Sequence, residues 1–88
     1  MPLYRVDRPM GGPLTEDDIE AAAFRANTCR VRFKGMEWYR SYLDRETWVF
    51  TCIYRANSAD EIREHATMSS IPCDKVTEID EYTPERFG

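Results

Sequence analysis

The sequence predicts an α+β sandwich with its elements in the order β-α-β-β-α-β. Three observations carry that prediction. Two segments have helical spacing behind good N-caps, aromatic-rich segments lie between them, and Gly and Pro punctuate the joints. Eighty-eight residues allow one domain, residues 1–88, with a thin core.

Leu3 to Arg8 reads as the first strand, with Tyr4 and Val6 on one side and Leu3, Arg5 and Asp7 on the other. The run Pro9-Met10-Gly11-Gly12-Pro13 cannot continue a ladder. Thr15 then caps a helix whose first turn, Glu16-Asp17-Asp18, meets the positive end of the helix dipole. Asp18 stands where a capping box prefers Glu or Gln, so the box is expected to be partial. Ile19, Ala22, Ala23, Ala26, Cys29 and Phe33 form one stripe, and its alanines let the backbone sit close to its partner. Gly35 suits the end of that helix.

Met36 to Asp44 and Thr47 to Arg55 are predicted strands holding more than half of the aromatics, among them Trp38, Tyr39, Tyr42, Trp48, Phe50 and Tyr54. The short polar Asp44-Arg45-Glu46 makes them a hairpin, with a two- or three-residue turn. One step of register flips every side chain, so the facing of Cys52 stays open. Ser58 and Glu61 form an S-x-x-E capping box before a second helix with Ile62, Ala66 and Ser69 on its inner side. Ile71-Pro72 ends it. Asp74 to Thr83 is the last strand, where Val76 and Ile79 break alternation and predict a bulge or an edge. Pro84 to Gly88 reads as a loose tail.

That order gives a split βαβ, the ferredoxin-like arrangement, with both helices on one face of a four-stranded antiparallel sheet. The strands are aromatic on both sides, so the open face should be an apolar patch. Homodimerisation through it is expected.

The charge of −4 disfavours nucleic acid as a partner. No apolar run is long enough to span a bilayer, so no membrane partner is expected, and the charged N-terminus does not read as a signal peptide. A cytoplasmic location is the expectation. Cys29, Cys52 and Cys73 are too widely spaced for a CxxC motif. Arg25, Arg30, Arg32 and Lys34 cluster late in the first helix, where cations suit the negative end of the dipole; an anion site is the alternative.

His65 is the single histidine, with Glu61 one turn earlier on the same side, the layout of a braced metal ligand or general base. The plainer reading is a semi-buried histidine bonded to Glu61 or to backbone. Cys52 could add a soft thiolate, and with imidazole that suits nickel, zinc or copper; its plainer reading is a small buried hydrophobe. One histidine cannot close a tetrahedral N/S site alone, so a strong site would need ligands from two subunits. Glu78, Asp80 and Glu81 are further oxygen donors, more simply read as a solvated face. A pocket enzyme is the second reading, an oxygenase, cyclase or isomerase with Ser41, Tyr42, Tyr54 and Cys52 around His65 as base. An interaction module is the third.

Met1-Pro2-Leu3-Tyr4, Trp38-Tyr39-Arg40-Ser41-Tyr42, Cys52-Ile53-Tyr54-Arg55-Ala56, Ala59 to Ala66 with its Ile-Arg-Glu-His-Ala, and Ile71 to Glu78 follow one another in a familiar pattern. Together they resemble the DUF4242 family of small bacterial proteins, also called the nickel-binding protein family. The resemblance implies a ferredoxin-like homodimer that binds nickel as a sink or buffer. Cys52 and His65 match that family's Cys and His positions. Cys29, Cys73 and the Gly/Pro-rich loop depart from its pattern.

Overall fold

The computed structural model describes residues 1–88. Its elements are β1 (Leu3–Pro9), α1 (Glu16–Arg30), β2 (Glu37–Asp44), β3 (Val49–Arg55), α2 (Ala59–Ser69), β4 (Lys75–Ile79) and a 3₁₀ turn at Pro84–Phe87. The strands form one antiparallel sheet in the order β2-β3-β1-β4, so each βαβ half is split by a strand of the other, consistent with a ferredoxin-like fold. No helix is long and apolar enough to cross a membrane.

The core lies between the helices and one face of the sheet. Val6, Cys52 and Tyr54 face inward from the two central strands, and Ile62 of α2 closes over them. Ala22 and Ala26 pack with Ile71 in a second cluster, where small side chains bring α1 close to the end of α2. Arg25 of α1 donates through Nε to the carbonyl of Ser69 at 2.8 Å. It thus serves the C-terminus of the neighbouring helix, where carbonyls lack partners, and not the end of its own.

Both helix starts differ from expectation in the same physical respect: reach. At α1 the box is complete and not partial. Asp18 N donates to Thr15 Oγ1 at 3.1 Å, and Thr15 N donates to Asp18 Oδ2 at 2.9 Å. At α2 Ser58 accepts from Glu61 N, but the longer Glu61 carboxylate goes past the cap to Asn57 N at 3.3 Å. Helix α1 also stops at Arg30, short of Phe33. A series of tight turns follows, which buries Phe33 and Met36. Gly35 completes this turn at φ 81°, with the Met1 side chain 3.1 Å from where a Cβ would stand.

The hairpin loop is longer than the expected two or three residues. Asp44 pairs with Val49, leaving four residues between, and β3 starts at Val49 instead of Thr47. Asp44 Oδ1 accepts from Glu46 N and Thr47 N, and Trp48 closes the loop at φ 57°, donating to the Asp44 carbonyl. An acceptor side chain at the first position favours such a local turn.

Of the bulge or edge expected in the last strand, the edge is what forms. Val76 pairs with Val6 and Ile79 with Leu3 in unbroken register, and β4 is a five-residue edge strand. The irregularity sits in β2 instead, between Trp38 and Arg40. The tail is one 3₁₀ turn, with Tyr82 stacked on Phe87 at 6.1 Å and Arg86 over Tyr82 at 5.0 Å. The open face is mixed and not uniformly aromatic. Exposed Tyr39 and Tyr42 stand there among Arg40, Ile53 and Arg55, while Trp38, Phe50 and Tyr54 line the inner side.

Candidate functional site

The bulge in β2 decides the site. Trp38 pairs with Tyr54, and the register then skips Tyr39, so that Ser41 pairs with Cys52. An extra residue puts side chains three apart on the same face, which a regular strand never does. Trp38 Nε1 donates to Ser41 Oγ at 2.9 Å, and Ser41 Oγ donates to Cys52 Sγ at 2.7 Å. Burial pushes the Cys52 thiol above its usual range, against the opposing effect of the Ser41 hydrogen bond. Cys52 is therefore a protonated, 5% exposed thiol at neutral pH.

These residues line a cavity of about 60 Å³ between the sheet and α1. Phe50, Ile19, Ala23 and Met10 supply its apolar walls. Arg8 also lines it, on the inward side of β1, and is 2% exposed. Its Nη1 donates to the Pro72 carbonyl at 3.1 Å, its guanidinium lies 5.6 Å from the Tyr54 ring centre, and its Nη2 has no partner. No carboxylate forms an ion pair with it.

His65 takes a different place from the one expected. It is fully buried, 5.5 Å from the Tyr54 ring and 6.0 Å from the Phe33 ring, and it does not line the cavity. Its Nε2 is 2.8 Å from the Ala26 carbonyl. A carbonyl only accepts, so Nε2 carries the proton and Nδ1 is a bare acceptor without a partner. Burial lowers the pKa of the ring, with the Ala26 bond opposing. The expected bracing by Glu61 is absent, because that carboxylate reaches back to Asn57.

Of the residues expected to share chemistry, Ser41, Cys52 and Tyr54 do meet at one cavity, whereas Tyr42 is 57% exposed on the opposite face. The facing of Tyr42 follows from the bulge. His65, Cys52 and Glu61 do not converge, and no group of three or more His, Cys, Asp or Glu side chains is placed to hold a metal ion within the chain. Sequence reasoning missed Arg8 and Trp38. For Arg8 the signal was present: it continues the inward parity of Tyr4 and Val6.

No curated protein sequence matches the chain. Among solved structures it is similar to the crystal structure of SCO4226 from Streptomyces coelicolor A3(2). The TM-score is 0.79 at 15% sequence identity, covering 92% of this chain and 99% of that one, a likeness of fold. Residues 4–79 match the family described as nickel responsive protein SCO4226-like. That span takes in both helices, the cavity and all of the sheet but Leu3. The chain therefore belongs to the SCO4226-like family of nickel-responsive proteins.

Proposed function

We propose that this protein binds nickel as cargo, a cytoplasmic sink or buffer that holds the ion weakly and exchangeably at donors completed by two copies of the chain. Family membership supports the nickel reading. The observation that carries the weak, shared character is that His65 and Cys52, the two soft donors expected to hold the ion, are buried and already committed within one chain. His65 gives its Nε2–H to a backbone carbonyl, and burial holds the Cys52 thiol protonated against the opposing pull of the Arg8 guanidinium. Nickel would then meet oxygen donors outside the core. Asp80 and Glu81 border the broad cleft of the open face beside Tyr39 and Tyr42, where a second copy would supply the rest.

Tag-free protein titrated with nickel, zinc and copper by calorimetry, with sedimentation in parallel, tests this reading. Nickel heat that accompanies a shift toward dimer, and that an Asp80→Asn/Glu81→Gln variant weakens, is the expected result. Absence of heat for all three metals would abandon the reading. Tight binding by a strictly monomeric protein would abandon the shared site.

A further inference from the structure

Arg8 is a cation without a countercharge. A guanidinium does not lose its proton in a protein, so its charge persists at 2% exposure. Burying such a charge is costly unless an anion or a full set of hydrogen bonds offsets it. Arg8 has one carbonyl and one ring face, and its Nη2 has nothing. The titratable groups beside it, Tyr54 and Cys52, are both held neutral by burial, so neither supplies negative charge. The cavity that Arg8 lines contains no Asp or Glu, and its polar groups are Ser41, Cys52, Tyr54 and the indole of Trp38. The remaining wall is apolar and comes largely from α1.

We propose that this cavity binds a small organic anion, a carboxylate with a short apolar tail, whose charge meets Arg8 and whose tail lies against Ile19 and Ala23 of α1. Its size sets the class. A single water needs about 10–15 Å³ on the same measure, so 60 Å³ admits a few heavy atoms and excludes a nucleotide. An Arg fork matches the planar carboxylate, and a charge-assisted bond in a low-dielectric site is much stronger than at the surface. The anion would complete the buried polar set that the chain alone leaves open. The proposal does not rest on the nickel reading.

Butyrate and butyramide have nearly the same shape and differ in charge, so their comparison on the wild-type chain, with chelator present and no metal, reads the site directly. Calorimetry and thermal melts are expected to show butyrate binding at least about tenfold tighter than butyramide. Acetate, which leaves the apolar wall uncovered, should bind more weakly than butyrate. Arg8→Met should lose the preference for butyrate over butyramide. Ala23→Leu keeps Arg8 but fills the wall, so it should lose the preference for butyrate over acetate. Equal binding of butyrate and butyramide, or no binding of either, would overturn the proposal. So would inorganic phosphate or chloride matching butyrate, since that describes a bare anion site without a tail subsite.

Discussion

The ring of His65 lies 5.5 Å from the ring of Tyr54, tilted by 55°, and both are buried. The pair joins the second helix to the centre of the sheet. Burial favours the neutral form of each, which moves the two pKa values in opposite directions. The fold should therefore lose stability toward both acid and alkali.

On the acid side, the pKa of His65 is lowered from 6.5, so the unfolded chain takes up this proton at a higher pH than the folded one. Stability from this group is complete above 6.5 and is lost as pH falls from there toward the lower folded value. Urea midpoints measured between about pH 7.5 and 5 should fall with pH, and His65→Gln should flatten that slope. Gln keeps an N–H for the Ala26 carbonyl without the titration. An unchanged slope in the variant would place the acid sensitivity elsewhere.

On the alkaline side, the Tyr54 phenol is pushed up to about 12 by burial, from an ordinary value of 10. Stability from this group is present below 10 and is lost as pH rises through the interval to 12. Ultraviolet titration of the native protein should show a late tyrosinate component near pH 12, absent in Tyr54→Phe.

Cys52 should be the slow thiol. It is 5% exposed with a raised pKa, whereas Cys29 and Cys73 are half-buried. Thiolate is the reacting species, so native alkylation followed by mass spectrometry should label Cys29 and Cys73 well before Cys52. Equal rates for all three would mean that the β2–β3 half of the sheet opens readily.

The order of elements could be read from the chain because each helix start carries its own local chemistry, at Thr15 and Ser58, and because the aromatics mark the hairpin. The inner face of β2 could not be read. It depends on one skipped pairing at Tyr39, which no local propensity marks, and that step sends Ser41 inward and Tyr42 out. The Glu61–His65 pairing looked plausible from helical spacing alone. It failed because Asn57 N, an exposed end-of-helix donor, competes for the same carboxylate, and because the imidazole found a carbonyl on another helix. Contacts 39 residues apart, like that of His65 with Ala26, leave no trace in local pattern.

Ser70 offers a stabilising change. It sits at the C-terminal cap of α2 with φ 56° and ψ 44°, a left-handed conformation that costs an L-residue about 1 kcal/mol relative to glycine. Ser70→Gly should raise the unfolding free energy by roughly that amount, measured by urea titration, without altering the m-value.

Arg8→Met should cost little. Losing the bond to Pro72 removes about 1 kcal/mol, and removing an unpaired buried charge returns a similar amount. A net change within about 1 kcal/mol of wild type is expected. A loss above about 3 kcal/mol would make Arg8 a structural strut whose bonds are worth more than its burial costs.

The skipped pairing at Tyr39 also bears on how copies of this protein can meet. Strand β2 is one of the two edges of the sheet, β4 being the other, and a straight edge of unpaired amides is a template on which further strands can add without limit. A kinked edge cannot match a partner strand over its full length. Lateral, open-ended growth needs both edges of the sheet, and the kink in β2 discourages it.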